Sequence, residues 1–262
     1  MKEALTEVRT EKIGNITLHN GDCIDLMDFI ESGSVDMIFC DLPYGTTVCK
    51  WDAIIPFDII WKHYLRIIKD NGAIVLTSSQ PFTSALIMSN PALFKYEWIW
   101  QKTHPKGHLN AKKQPMRAHE SVLIFYKNQP TYNPQKTHGH NRKVAKTSYV
   151  KEHTGNSVYG RESRDTNYDS TERYPLSVQV FANADLTQVL HPTQKPVSLV
   201  EYMIKTYSNE GELILDNCSG SGTTGVACLN LKRKCILMEK DEAYFNVSIE
   251  RLKNHVAQTT LF

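Results

Sequence analysis

Residues 212 to 241 read ELILDNCSGSGTTGVACLNLKRKCILMEKD, and no other stretch limits the fold as much. An apolar run of strand length meets a glycine loop, a helix follows through Asn230, and a second apolar strand comes after it. Two strands joined through a helix lie parallel, because a tight hairpin can only join antiparallel ones. The run VDMIFC, residues 35–40, agrees with this: it is too continuous for a half-exposed strand and suits a sheet covered on both faces.

The same alternation extends over most of the chain. GNITLHNGDCIDLM predicts a short strand ending at Gly21-Asp22, with a helix after it. Helical spacing runs from Ile54 to Lys69 and stops at Asn71-Gly72. AIVLTSS, YEWIW and SVLIFY read as strands, and PFTSALIMSN as a helix opened by Pro81. After Pro196, a helix places Val197, Val200, Ile204 and Tyr207 on one face, and a last helix takes Asp241 as N-cap. Strands alternating with helices predict an α/β fold with a doubly wound, mostly parallel sheet. Between Lys127 and Leu190 the pattern lapses into Asn, Thr, Ser, His, Tyr and Lys, too long for an ordinary loop, so a small subdomain or a mobile segment is expected there.

Charge is unevenly placed. The net charge is +2, yet residues 101 to 190 hold 14 Lys/Arg against 7 Asp/Glu, together with 6 of the 10 histidines. A basic middle between acidic flanks predicts a surface that faces a polyanion. The six cysteines form no C-x-x-C pair and have no histidines at zinc spacing, so no metal is expected. With a charged opening segment and no run near the ~18 apolar residues of a membrane span, the expectation is a reducing, cytoplasmic setting.

GSGTTG, Gly220 to Gly225, fits G-x-G-x-x-G between a strand and a helix, and Glu239 ends the next strand. The pattern predicts an adenosine-containing cofactor across the carboxyl ends of the strands, with a carboxylate on its ribose. No lysine follows the glycines, so a P-loop is excluded. A dehydrogenase would carry the fingerprint early, with a catalytic domain after it, and would give no reason for Asp41-Leu42-Pro43-Tyr44 at the end of VDMIFC. That tetrapeptide suits attack by an exocyclic amine on a methyl sulfonium. The amine of adenine or cytosine is a poor nucleophile, because its lone pair is delocalised into the ring. Two acceptors that bind both amino hydrogens favour a tetrahedral nitrogen; Asp41 and the Leu42 carbonyl supply them, and Pro43 stiffens the turn. Tyr44 offers a face to an extruded base, a stack worth ~1–3 kcal/mol.

With these motifs in this order, the chain resembles the amino-group DNA methyltransferases, in the permuted (β) class whose catalytic tetrapeptide precedes the glycine loop. The resemblance implies S-adenosylmethionine as donor, a seven-stranded Rossmann-like sheet and a small inserted target-recognition region. It divides the chain into a catalytic half (1–127), the insertion (128–190) and a cofactor-binding half (191–262). NGDCIDLM resembles the segment whose Asp22 meets the cofactor adenine, HPTQKP the segment closing the methionine end, and ILMEKD the segment placing Glu239 on the ribose. Carried over residue by residue, the cofactor-binding set is Asp22, Cys40, Thr193, Lys195, Asp216, Gly220, Gly222, Thr223, Thr224 and Glu239. This chain departs from the pattern at Leu42, where Pro is usual, and at Asn217-Cys218, where Pro-Phe is usual.

Within the resemblance, Asp at the first catalytic position favours adenine N6, whereas Ser there would favour cytosine N4. An RNA methyltransferase and an inactive DNA-binding homologue are the other readings, although the inactive one would be expected to have lost Asp41 or Tyr44. Lys102, Lys106, Lys112, Lys113 and Arg117 follow a strand on the catalytic side and are candidate phosphate contacts. Double-stranded DNA is the expected partner; a cognate restriction endonuclease and a homodimer stay open.

Overall fold

The computed structural model describes residues 8–47, 49, 52–151, 162–183 and 194–259, and divides into two units, Met1–Asn133 with Ser177–Phe262, and Pro134–Leu176. The larger unit is built on one sheet. A hairpin of β1 (Thr10–Ile13) and β2 (Ile16–Asn20) opens it, and helix α1 (Cys23–Met27) starts at Asp22, whose carboxylate accepts the Ile24 N–H. Then follow β3 (Val35–Cys40), α2 (Phe57–Ile67), β4 (Ile68–Ser78), α3 (Phe82–Ser89), β5 (Phe94–Lys106) and β6 (Arg117–Phe125). The smaller unit is an antiparallel ribbon of β7 (Lys143–Lys151) and β8 (Glu162–Ser170). The larger unit resumes with β9 (Val178–Phe181), α4 (Val197–Tyr207), β10 (Leu213–Asp216), α5 (Thr223–Asn230), β11 (Lys234–Glu239) and α6 (Glu242–Thr259).

The sheet order is β1-β2-β11-β10-β3-β4-β6-β5-β9. The expectation of seven mostly parallel strands needs correction: there are nine, and three of the eight neighbouring pairs are antiparallel. Both extra strands lie at sheet edges. β1 has the polar sequence TEKI, since an edge strand needs little apolar surface, and β9 pairs parallel with β5 through Ile99 and Val178. Helix α2 ends at Ile67, and Asn71-Gly72, read as its stop, lies inside β4, where the register with β3 jumps between Ile68 and Ala73.

Alternate residues of the central strands enter two separate cores. Met37, Phe39, Ala73 and Val75 pack with α4, α5 and α6, including Leu199, Ala227 and Phe245. Ile38, Cys40, Ile74 and Leu76 pack with α1, α2 and α3, including Met27, Tyr64 and Leu86. Burial on both faces explains why VDMIFC carries so little polar alternation. Among the described residues no helix is long and apolar enough to cross a membrane.

Topology places the site. β3 and β10 are parallel neighbours, with Ile214 opposite Met37 and Leu215 opposite Ile38. The segments that leave their carboxyl ends, Asp41 onward and Asn217 onward, therefore emerge side by side at the same edge of the sheet. Such a crevice, between strands whose connections diverge to opposite faces, is where open α/β sheets bind ligands.

Candidate active site

A cavity of about 850 Å³ lies over these strand ends, lined by Asp41 to Tyr44, by Asp216 to Ser221 and by Glu239. The two motifs, about 180 positions apart in sequence, thus share one chamber.

Asp41 accepts three side-chain hydrogen bonds. Its Oδ1 accepts from the Tyr44 hydroxyl at 2.7 Å and from the hydroxyl of Thr77, near the end of the adjacent β4. Its Oδ2 accepts from Lys195 Nζ at 2.7 Å. The Lys195 ammonium also lies 3.4 Å from Glu120 Oε2 and 5.5 Å from the Tyr44 ring centre, while Glu120 Oε1 takes Lys102. Burial opposes the charge on Lys195, but the Asp41 and Glu120 carboxylates overcome it and raise its pKa. Burial would also push Glu120 up, yet Lys195 and Lys102 hold it below the usual carboxylate range. Tyr44 is pushed well above the ordinary phenol value, first by burial and then by Asp41, so it remains a neutral donor. Its ring stacks on Phe82 with centres 5.0 Å apart and planes 25° apart.

The loop after the tetrapeptide is tied to one side chain. Asp52 accepts the backbone N–H groups of Gly45, Thr46 and Thr47 at 2.7–2.9 Å. Three N–H groups converging on a buried carboxylate hold this turn rigidly beside Tyr44.

On the opposite wall, β10 ends in Asp216, which accepts from Thr224 Oγ1 at 2.5 Å and from the Cys218 N–H at 3.1 Å. Burial dominates over these bonds and raises it to about 7. The glycine loop is clamped from α6: Ser248 donates to the Gly220 carbonyl, and Arg251 donates to the Ser221 carbonyl and the Thr223 hydroxyl. Gly222 has φ +74, and a Cβ there would lie 3.1 Å from the Ser248 side chain. Gly225 needs its missing Cβ for a different reason: the atom would come within 2.8 Å of Leu237, so the glycine sets how closely α5 approaches β11. Glu239 accepts the N–H groups of Gly220 and Asp241, both at 2.8 Å, and burial raises its pKa. In Asp22, burial is outweighed by bonds from Lys240 Nζ (2.9 Å) and the Ile24 N–H, which hold the carboxyl below its usual value.

This wall fits an adenosine-bearing cofactor. Among the described residues Ser219 Oγ, buried in the cavity lining, has no hydrogen-bond partner, an orphan that a bound ligand would satisfy. Two carboxylates, Asp22 and Glu239, offer acceptors for hydroxyl and amino groups along the same wall. The Asn217 of the atypical Asn-Cys pair is held by the Tyr64 hydroxyl at 2.6 Å, so the loop is fixed by a hydrogen bond where a proline would have stiffened it.

The sequence-derived candidates distribute as follows. Asp22, Asp41, Leu42, Pro43, Tyr44, Lys195, Asp216, Gly220, Thr223, Thr224 and Glu239 line the cavity, as do Lys102, Lys106 and Arg117. Gly222 supports the loop from behind. Cys40 is fully buried against the α2 side, its thiol pushed to about 11, and does not face the cavity. Lys112 and Lys113 are exposed in the connection between β5 and β6. Thr193 lies outside the described residues. Glu120, Thr77, Asp52 and Ser219 escaped the sequence reading. Glu120 had one signal available: it adjoins the start of the buried run SVLIF much as Asp41 follows VDMIFC, a carboxylate at the border of a fully buried run.

Residues 35–250 match a family model described as DNA methylase. Among similar proteins, the type II methyltransferase M1.MboII of Moraxella bovis is 27% identical over 87% of this chain and 93% of its own length. The DNA adenine methyltransferase YhdJ of Escherichia coli is 26% identical over 90% of this chain and 82% of its own. A solved M1.HpyAVI–SAM complex covers 90% of this chain and 98% of its own at a TM-score of 0.61, with 23% identity. The family match spans both walls of the cavity, from VDMIFCDLPY through the glycine loop to α6, and the chain belongs to the DNA methylase family.

Proposed function

We propose that this chain methylates adenine N6 of a base extruded from double-stranded DNA, with S-adenosylmethionine as donor. The observation that carries the reading is the shared chamber: a carboxylate with a stacking aromatic on one wall, and a clamped glycine loop with an orphaned hydroxyl on the other. When bound, S-adenosylmethionine supplies a methyl group on a positively charged sulfur. Asp22 and Glu239 would hold its adenosine, and Asp216, Ser219 and Thr224 would face its methionine end.

The chain's own residues do the rest. Asp41 and the Leu42 carbonyl accept the two amino hydrogens of the target, which frees the nitrogen lone pair. Tyr44, backed by Phe82, supports the base plane. Thr77 and Tyr44 fix the rotamer of Asp41, so alignment precedes reaction, and alignment is where most of such a rate gain arises. The Asp52 clamp keeps the turn from relaxing. Lys106 and Arg117 make the mouth basic, which suits the phosphates beside an extruded nucleotide, whereas Lys102 is buried and taken up by Glu120. Residues 128–190 are the proposed target-recognition region, and the cytoplasm the proposed location. A cognate restriction endonuclease and a second copy of the chain are the proposed protein partners.

The preference for adenine over cytosine rests on Asp41 and on the similarity to the E. coli DNA adenine methyltransferase. Labelled-methyl transfer to duplex DNA and to structured RNA, followed by sequencing of modified bases, tests substrate, base and context together. Transfer to RNA alone, or methylation at cytosine N4, would overturn the respective part of the reading.

A further inference from the structure

Asp41 Oδ1 already takes two donors, Tyr44 and Thr77, which fills its two lone-pair directions. The oxygen left for a target amine is Oδ2, and Lys195 Nζ sits on it at 2.7 Å. The same ammonium lies over the Tyr44 ring, 5.5 Å from its centre. A nitrogen donating to the Asp41 carboxylate beside the Tyr44 face is what the extruded base must provide, so Lys195 holds the place of the substrate.

The neighbouring carboxylate is built to take it back. Glu120 Oε1 is bonded to Lys102, but Oε2 is buried and, among the described residues, makes no hydrogen bond, its ion pair with Lys195 Nζ standing at 3.4 Å. A buried acceptor that is ion-paired but not hydrogen-bonded is poorly satisfied, and it points to a second arrangement in which the same ammonium bonds it directly. Charge gives the motion its direction. Positive charge develops on the target nitrogen as it is methylated, and an ammonium left on Asp41 would oppose it, whereas one moved to Glu120 leaves the Asp41 charge free to stabilise it.

We propose, resting on the reading of Asp41 as acceptor of the target amine, that Lys195 is a displaceable plug: its ammonium occupies the amine position on Asp41 in the base-free enzyme and transfers to Glu120 when a base enters. Lys195 is a positioning residue in this scheme. It keeps a part-buried carboxylate paired between turnovers and admits only a group able to replace its hydrogen bond.

The test compares two duplexes carrying the enzyme's own methylation site, first identified by sequencing, one intact and one abasic at the target. Their affinities are measured in the presence of a non-reactive cofactor analogue. The abasic duplex does not need the plug to move, so the affinity ratio, intact over abasic, isolates its displacement and is insensitive to the fraction of folded protein. Lys195→Met is expected to raise that ratio about tenfold, the low end for losing a competing hydrogen bond to a charged group. Glu120→Gln, which removes the receiving charge, is expected to lower the ratio and kcat together, and adding Lys195→Met to it is expected to restore the ratio. A ratio in Lys195→Met that is unchanged or lower, in an enzyme whose parent methylates duplex DNA, overturns the plug alone. A parent protein that methylates no duplex DNA overturns the functional reading, and the plug with it.

Discussion

Asp216→Asn isolates the energetic consequence of burying a carboxylate with no cation bonded to it. Asp216 is 4% exposed, and its neutral donors, the Thr224 hydroxyl and the Cys218 N–H foremost, only partly offset burial, leaving the pKa at about 7 against 3.8 for an ordinary Asp. Between these two values the folded protein binds more protons than the unfolded chain. The stability that Asp216 contributes is therefore fully present below the unfolded pKa and is lost as pH rises, until the loss levels off above about 7. At ~1.4 kcal/mol per pH unit, the span from pH 5 to 8 includes two units of that slope, or about 2–3 kcal/mol. Asparagine keeps an acceptor for the Cys218 N–H and cannot ionise. Urea unfolding of both proteins at half-unit intervals from pH 5 to 8 is expected to show the variant gaining on the parent by about 2–3 kcal/mol across the range, with the gain flattening near pH 8. A difference between the two that does not change with pH would refute the argument that burial leaves this carboxyl protonated at neutral pH.

Asp41→Ala removes one of the two proposed acceptors and should cut methyl transfer by at least ~10³-fold, which is ~4 kcal/mol of barrier, while calorimetry with the cofactor shows little change. Asp52→Ala frees three N–H groups that now converge on one carboxylate; kcat should fall about 10–100-fold while cofactor affinity, on the other wall, stays within about twofold. Gly222→Ala places a side chain at φ +74 and 3.1 Å from Ser248, so a loss of about 1–3 kcal/mol in stability and a weaker cofactor complex should appear in thermal melts with and without cofactor.

Much of the site could be read along the chain because its key segments are local. The glycine loop must turn sharply and let α5 approach β11, and glycine alone meets both demands, so the requirement is written into the sequence at Gly222 and Gly225. Likewise Asp41 to Tyr44 form one contiguous turn after one buried strand. Glu120, Thr77 and Asp52 were harder to find because each acts through a partner remote in sequence or through backbone. Glu120 comes beside Asp41, and so beside Lys195, because β6, β4 and β3 lie in adjacent sheet positions, and a lone acid inside a basic segment has no local feature to reveal that pairing. The fold was legible wherever burial demanded apolar runs. Edge strands β1 and β9 bury little, so their sequences carry almost no signature, and the seven-strand expectation fell short by these two.

By itself, the order of residues determined a doubly wound α/β fold, a glycine loop suited to an adenosine-containing cofactor and a tetrapeptide suited to amine methylation, since each depends on steric or burial rules that act over a few residues. Tertiary structure alone decided that both motifs open into one chamber, and that Lys195 rests on Asp41 rather than facing the cofactor alone. Those outcomes depend on which strands are neighbours and on how buried charges must pair, and both are properties of the packed sheet.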